Sequence, residues 1–192
     1  MINSINKITL SSKSPRRRKL LKQLNLKFNS ISVDTAEKVK RNERPHLTVK
    51  RISIEKMEKT LSIIKDGIII TADTIVVLDN KVIGKPKNQN DAYRILKKLS
   101  GRTHTVYTGY CVYNWANNKK ITEYEKTMVK FRILSDIEIW EYIKSGSPMD
   151  KAGAYGIQDD FGAVFIEKIN GCYYNVVGLP LAKLYHSILR IL

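Results

Sequence analysis

The sequence is poor in the residues that build metal clusters and covalent cross-links. Its 192 residues include 2 cysteines and 3 histidines, and no CxxC pair occurs. Cys111 and Cys172 lie far apart, and His46, His104 and His186 are scattered. This pattern favours neither a structural zinc site nor a disulfide framework, because both need closely matched ligands or partners. We expect both cysteines to be reduced and packed in or near the core.

Long apolar runs are also missing. No segment approaches the roughly 18 uninterrupted apolar residues of a transmembrane helix, and the best run, 67–72, ends at Asp73. The N-terminal sequence MINSINKITL lacks the apolar stretch of a signal peptide. These absences predict a soluble, cytoplasmic protein with no membrane partner.

Acidic residues are scarce beside basic ones. The chain has 34 Lys and Arg against 18 Asp and Glu, a net charge of +16. Such a charge attracts polyanions, so nucleotides, nucleic acids and anionic lipids are all possible partners. The chain is also crowded with Lys, Ile and Asn, which A/T-rich codons supply, so the charge alone does not select a partner. A nucleic-acid-binding module is one alternative, although the interleaved aromatic and basic residues of single-strand binders are lacking.

The pattern of apolar residues predicts an α/β protein with a mixed sheet. The sequence contains no repeat, low-complexity tract or Pro/Gly-rich linker, and its length suits one ordinary domain. Strands are expected at Ile8–Leu10, Phe28–Val33, Ile68–Thr71, Ile75–Leu78, Lys81–Ile83, Thr103–Trp115 and Lys119–Ile133, with two short ones nearer the end. Helices are expected at Pro15–Leu24, His46–Ile64, Asp91–Leu99, from Ser135 to Lys144, and at Leu179–Leu192.

Local sequence features support several of these boundaries. Ser14 before Pro15 is typical of a helix start. Ser135 with Glu138 forms a capping box, and the turn Asp79-Asn80 predicts a hairpin.

Two other segments are rich in charged residues and are expected to face solvent for the most part. Residues 34–45 are charged and polar and are expected to form a mobile loop. On the helix expected at 46–64, the basic side chains Lys50, Arg51, Lys56 and Lys59 mark a face that solvation explains for most of them.

The first cluster that suggests chemistry is Ser11–Arg18, SSKSPRRR. It lies where a strand passes into the amino end of a helix, where unpaired N–H groups and the helix dipole favour an anion. Arginine forks match phosphate geometry and strengthen the prediction. A basic first turn exposed to water is the alternative.

Two further clusters add an acid and a small-residue loop. Asp73 lies between two apolar segments, where an ionised carboxylate needs a cation or metal partner unless it merely caps a bend. The stretch 150–158, DKAGAYGIQ, has small residues that let the backbone approach a ligand, and Gln158 could read a base edge. Alone, each is as often a structural bend or a flexible turn.

Seven stretches run in order across nearly the whole chain. They are ITLSSKSPRRRKLL, IEK at 54–56, TADTIV, IGKP, LKKLSGRTHTVYTG, DKAGAYGIQ and NGCYYNVVGLP. With them the sequence resembles the Maf family of nucleoside triphosphate pyrophosphatases. The resemblance implies one domain over residues 1–192 with an inosine triphosphatase-like fold, in which an elongated mixed sheet is flanked by helices and two lobes surround a central cleft.

The resemblance also implies an activity. The family hydrolyses a nucleoside triphosphate between the α- and β-phosphates, giving the monophosphate and pyrophosphate, with a divalent cation such as Mg²⁺ or Mn²⁺. We therefore expect a nucleoside triphosphate diphosphatase that clears non-canonical nucleotides, is a possible homodimer and has no nucleic-acid partner. A regulatory role in cell division, which the family's name implies, is an alternative.

The matching motifs carry the family's site residues onto this chain. Asp73 matches the proton acceptor, and Glu37 with Asp73 is expected to hold the metal. The residues expected to bind substrate are Ser12, Arg16, Arg17, Lys56, Thr74, Lys85 and Gln158.

Three of these positions separate the substrate branches of the family. Arg16, Thr74 and Gln158 match the branch that prefers dTTP and UTP, whereas a branch that prefers 7-methyl-GTP has an aromatic residue directly after the proline. A glutamine amide offers the donor and the acceptor that a pyrimidine imide edge needs. Asp159 and Asp160 depart from the family pattern and put two negative charges beside Gln158, so a 7-methyl-GTP pyrophosphatase stays an alternative.

Overall fold

A computed structural model describes residues 7–158 and 161–192. The strands of this part of the chain are β1 (Ile8–Ser11), β2 (Asn29–Ile31), β3 (Ile68–Leu78), β4 (Lys81–Ile83), β5 (Thr103–Asn114), β6 (Lys119–Phe131) and β7 (Ile166–Asn170). Its helices are α1 (Pro15–Lys22), α2 (Pro45–Leu61), α3 (Gln89–Leu99), α4 (Asp136–Lys144), α5 (Tyr173–Val177) and α6 (Leu181–Ile191). Short 3₁₀ turns occupy Ser147–Asp150, Ala152–Ala154 and Phe161–Phe165.

The described residues form one seven-stranded sheet of mixed direction. Its order is β2-β1-β3-β5-β6-β7, with β4 paired to β3 off this path. Strand β1 runs parallel to both β2 and β3, whereas the pairs β3–β4 and β6–β7 are antiparallel. The predicted α/β class with a mixed sheet flanked by helices is therefore confirmed.

The chain divides into two compact units. The first comprises the chain up to Asp73, Thr108–Glu125 and Gly178–Leu192, and the second comprises Thr74–Tyr107 and Lys126–Val177. In the first unit, Met57 of α2 packs with Ile69 of β3 and Cys111 of β5. The second unit has a core that includes Leu96, Leu99, Phe131, Ile139 and Phe165.

Several local predictions are confirmed. Ser14 caps α1, and Ser135 with Glu138 forms the capping box of α4. Asp79 and Asn80, both with positive φ, join β3 to β4. Each of these features depends on residues within a few positions of one another, which is why the sequence reveals them.

Two predictions of secondary structure are wrong. Residues 68–78 form one continuous strand, so Asp73 does not cap a bend between two strands. The first residues of this strand pair with β1 and the last three with β4, and this pairing outweighs the polar Asp-Thr pair. After the Gly-rich stretch the described residues hold one strand, β7, followed by the short helix α5, instead of two strands.

The two cysteines agree with the prediction of reduced side chains in or near the core. Cys111 is buried, Cys172 is half-buried, and both are free. Within residues 7–158 and 161–192, no helix combines the length and apolar character that crossing a bilayer requires.

The α2 backbone approaches β5 closely at Gly109. A Cβ at Gly109 would lie 2.5 Å from the carbonyl carbon and oxygen of Val49 and 2.8 Å from the amide nitrogen of Lys50. We expect Gly109→Ala to lower the free energy of unfolding by about 1–3 kcal/mol, because backbone atoms cannot rotate away as a side chain can. Urea unfolding measures this difference.

Gly84→Ala is the matched control for this variant. A Cβ at Gly84 would meet nothing within 4 Å, so we expect its urea midpoint to stay near that of the parent protein. Equal stability of the two variants would show that α2 tolerates displacement from the sheet.

Candidate active site

The polar residues of the first unit gather where β1 ends beside β3. Ser11, the last residue of β1, pairs with Thr71, and β3 continues past this point through Ala72 and Asp73. Ligands of open α/β sheets bind outside the carboxyl ends of the strands. The topology therefore brings the loop that begins at Ser12 beside the part of β3 that carries Asp73.

Hydrogen bonds hold the loop between β1 and α1. The Ser12 amide donates to the Ile31 carbonyl at 2.8 Å, and Ser12 Oγ accepts from the Ser14 amide at 3.2 Å. Ser14 Oγ in turn accepts from the Arg17 amide at 3.4 Å. Ser12 is buried, so this loop has a defined backbone path into the first turn of α1.

A pocket of about 400 Å³ adjoins this loop. Its lining residues are Ser12, Lys13, Arg18, Ser30, Ile31 and Ser32. Hydroxyl groups and basic side chains beside the amino end of a helix suit an anionic group. Lys13 is already paired with Asp34 at 2.5 Å, on the exposed rim.

Arg17 is buried and its guanidinium contacts acceptors of the protein itself. Its Nε donates to the Gly178 carbonyl at 2.8 Å, and its Nη1 donates to the Ala72 carbonyl at 2.9 Å and to Ser12 Oγ at 3.4 Å. Burial lowers the pKa of Arg17, and the negative charges of Asp73 and Glu37 oppose that shift. Arg17 thus ties the loop to the strand that carries Asp73, and its predicted contact with phosphate stays a prediction.

Lys56 joins the two carboxylates that were assigned to the metal. Its Nζ lies 2.7 Å from Asp73 Oδ1 and 2.7 Å from Glu37 Oε1. The side chains of Lys56 and Asp73 are each 9% exposed, so this ion pair is shielded from water. The sequence analysis required a cation or a metal beside an ionised carboxylate at this position, and the Lys56 ammonium meets that requirement for Asp73.

The solvated face expected along this helix is wrong for Lys56. The buried side of α2 includes Ile52, Ser53, Met57 and Thr60, and Lys56 lies on that side. Hydrogen bonds dock the helix on the sheet: Thr60 Oγ1 to Ser11 Oγ at 2.8 Å, and Thr71 Oγ1 to the Ser53 carbonyl at 2.7 Å. Lys59 is exposed, as expected.

Glu37 lies in the loop between β2 and α2 with φ of +42°. Its carboxylate is 46% exposed, in contrast to that of Asp73. No group of three or more His, Cys, Asp or Glu side chains within the described residues could hold a metal ion. Two carboxylates that converge on one cation nevertheless fit Mg²⁺, which is commonly bound by one or two carboxylates together with substrate phosphates.

The other residues predicted to bind substrate lie in both units. In the first unit, Arg16 is half-buried on α1. In the second unit, Thr74 and Gln158 are half-buried and Lys85 is exposed just after β4. The Gly153 amide donates to the Gly84 carbonyl at 3.1 Å, so the segment next to Lys85 lies against the stretch that leads to Gln158.

A buried histidine that the sequence analysis did not assign supports this stretch. His104 Nε2 lies 2.7 Å from Tyr155 Oη, three residues before Gln158. Burial lowers the pKa of His104 to about 4, so the ring is neutral near pH 7. The only sign in the sequence was a histidine at an inward position of an alternating strand, which does not reveal its partner. Asp159 and Asp160 lie outside the described residues, so their effect on Gln158 stays a prediction.

Comparison with known protein families shows which family the chain belongs to. The family described as Maf-like protein matches residues 7–191. The chain belongs to the Maf family. The resemblance drawn from the seven motifs is thereby confirmed, and it extends over almost all of the described residues.

Close relatives of this Maf-family chain share one name. A dTTP/UTP pyrophosphatase of Thermosipho melanesiensis is 51% identical over 178 residues, covering 93% of this chain and 94% of the relative. The dTTP/UTP pyrophosphatase of Carboxydothermus hydrogenoformans is 47% identical over 182 residues, covering 95% and 97%. That of Aquifex aeolicus is 46% identical over 184 residues, covering 96% and 94%.

The likeness to solved structures is more distant. This Maf-family protein is similar to the Staphylococcus aureus Ham1 protein with a TM-score of 0.47 and 12% identity, covering 84% of this chain and 80% of that one. The mixed α/β architecture given above rests on the strand pairing of this chain and does not depend on that likeness.

Proposed function

We propose that this protein hydrolyses dTTP and UTP between the α- and β-phosphates, releasing the nucleoside monophosphate and pyrophosphate. The observation that carries the proposal is the buried Asp73 carboxylate, which Lys56 holds beside Glu37, close to the point where β1 ends and the loop at Ser12 begins. The shared name of the relatives supports the same substrates.

Asp73 is the proposed general base. Water is a poor nucleophile, and the triphosphate repels an approaching hydroxide. A carboxylate within hydrogen-bond reach of the water orients it and accepts its proton as the bond to phosphorus forms. Asp73 suits this role because its position is set by a continuous strand and by the 2.7 Å contact to Lys56.

Glu37 and Asp73 are the side chains proposed to hold the divalent cation, Mg²⁺ or Mn²⁺. When bound, the cation would neutralise phosphate charge as negative charge builds on the leaving group. Lys56 supplies positive charge at the same place, so its predicted role with phosphate requires its ammonium to be shared between the carboxylates and the substrate. Ser12, Arg16, Arg17 and Lys85 are the other proposed phosphate contacts.

Thr74 and Gln158 are proposed to select the base. The Gln158 amide can donate to and accept from the imide edge that thymine and uracil share. A site built on such hydrogen bonds rejects a base that leaves them unpaired. The pairing of His104 with Tyr155 holds the preceding stretch in place, which favours a defined orientation of this amide.

Pyrophosphate release from a panel of nucleotides tests the activity. We expect kcat/KM for dTTP and UTP to exceed that for CTP, GTP, ATP and 7-methyl-GTP in the presence of Mg²⁺ or Mn²⁺, on one preparation. A clear preference for 7-methyl-GTP would overturn the base assignment and keep the pyrophosphatase. Absence of release from every triphosphate would overturn the activity and favour a nucleic-acid-binding or cell-division role.

The remaining expectations of the sequence analysis stay predictions. They are the homodimer, the cytoplasmic location and the clearing of non-canonical nucleotides. Sedimentation equilibrium tests the first of them directly.

A further inference from the structure

The loop that carries Glu37 needs support from outside itself. Residues 32–44 contain neither helix nor strand, so no regular backbone ladder fixes their path. Glu37 also adopts a left-handed φ of +42°, a conformation that is unfavourable for a residue other than glycine. Such a conformation persists only where surrounding contacts impose it.

Arg51 of α2 supplies these contacts. Its Nε and Nη2 donate to the two carboxylate oxygens of Glu43 at 2.8 and 2.7 Å. Nη2 also donates to the Lys38 carbonyl at 2.8 Å, and Nη1 donates to Glu55 at 2.7 Å. One guanidinium therefore joins the helix to the loop backbone at the residue that follows Glu37.

Thr48 completes this arrangement from the same helix. Its Oγ1 donates to Glu43 Oε2 at 2.9 Å, so Glu43 is held by two side chains of α2. We call Arg51, Glu43 and Thr48 the loop clamp. The hydrogen bond from Arg51 is the main cause that lowers the pKa of Glu43 to about 2. Glu43 therefore stays ionised throughout the neutral range, and the clamp keeps its charge there.

The clamp and the candidate site share one rigid element. Arg51 lies five residues before Lys56 on α2, and the two side chains contact the loop at neighbouring points: Arg51 at the Lys38 carbonyl and Lys56 at the Glu37 carboxylate. The side chains of Arg51 and Glu43 are 20% and 15% exposed. This partial burial, together with bidentate geometry, distinguishes the pair from an ordinary surface salt bridge.

We propose that Arg51 is a positioning residue that holds Glu37 in place for the divalent cation. The inference rests on the proposed function only for the identity of the ligand. Arg51 touches neither substrate nor metal in this proposal; it acts through the backbone of Lys38 and the carboxylate of Glu43. Lysine can replace it only in part, because one ammonium cannot donate in fixed directions to four acceptor atoms as the planar fork does.

Mn²⁺ binding to the nucleotide-free protein is the test, with free Mn²⁺ counted by electron paramagnetic resonance. We expect Arg51→Gln to weaken Mn²⁺ binding about 10-fold or more, the effect typical of losing a group that orients a metal ligand. Arg51→Lys should fall between Arg51→Gln and the parent. Lys50→Gln removes the same charge from the neighbouring position on α2 and should leave Mn²⁺ binding unchanged.

A double-mutant cycle separates positioning from general damage. In a Glu37→Gln background the loop has lost the carboxylate that is proposed to bind the cation, so Arg51 has no metal ligand to position. Adding Arg51→Gln should therefore change Mn²⁺ affinity little further. Hydrogen exchange of the amides at 35–42 should be faster in Arg51→Gln, while amides of β3 keep their protection.

Four results would overturn the inference. They are failure of the parent protein to bind Mn²⁺, unchanged Mn²⁺ affinity in Arg51→Gln, an equal loss in Lys50→Gln, or a loss that is undiminished in the Glu37→Gln background. Failure of the parent protein to release pyrophosphate from any nucleotide is a different result, because it removes the proposed function while the Mn²⁺ titrations still decide whether Arg51 positions Glu37.

Discussion

Asp73→Asn will lower kcat for dTTP by about 10²- to 10⁴-fold, the range typical of a lost general base. The amide has nearly the shape of the carboxylate but cannot accept a proton from water. Because Asp73 lies within one continuous strand whose first and last residues pair with β1 and β4, we expect the variant to fold. Steady-state pyrophosphate release measures the loss, and circular dichroism verifies the fold.

Asp66→Asn is the matched control for this substitution. Asp66 belongs to the same unit, precedes the same strand and pairs with Lys7 at the surface, with a side chain that is 55% exposed. Its turnover should equal that of the parent. Near-parental turnover by a folded Asp73→Asn protein would remove Asp73 from the mechanism and direct attention to Glu37.

Lys56→Met will destabilise the protein as well as impair catalysis. Removing one partner of a buried ion pair typically costs about 3–5 kcal/mol, because the other charge is left in a dry environment. The Lys56 and Asp73 side chains are each 9% exposed, so this range applies. Urea unfolding should show the loss, and turnover of dTTP should fall because the carboxylates lose the cation that joins them.

Two further variants make this prediction specific. Lys59→Met, on the exposed side of α2, should lower the free energy of unfolding by less than about 1 kcal/mol. The double variant Lys56→Met with Asp73→Asn should be more stable than Lys56→Met alone, because no uncompensated charge stays buried at Asp73. Strictly additive losses would show that the pair contributes through packing and not through charge.

The basic side chains of α2 have very different surroundings. Most of them were expected to face water, as Lys59 does, whereas Lys56 was also expected to bind substrate. Lys56 and Arg51 have the same charge and lie on the same helix, yet one is buried against Asp73 and the other holds the Glu43 loop. Helical periodicity places residues on faces, but it does not show which face meets a carboxylate from another part of the chain.

The same limit explains Asp73 and the end of the chain. A polar Asp-Thr pair inside an apolar run is ambiguous from sequence, because a bend and a continuous strand have the same local composition. In the structure, pairing with β1 and β4 makes residues 68–78 one continuous strand. Near the end, the residues of α5 have β-forming side chains but fold as a short helix in which Asn175 and Val177 are buried.

The amino-acid sequence by itself determined the local features of this protein and its kinship. The caps at Ser14 and Ser135 and the turn at Asp79 depend on neighbours in the chain, and the seven ordered motifs identified the family. Tertiary structure alone decided that Lys56 joins Glu37 to Asp73. It also decided that the Arg17 guanidinium donates to the backbone carbonyls of Ala72 and Gly178. The physical reason is that each of these contacts joins residues that are far apart in the chain, with separations from 17 to 161 positions. Their formation therefore depends on how α1, α2 and β3 pack and not on any local preference.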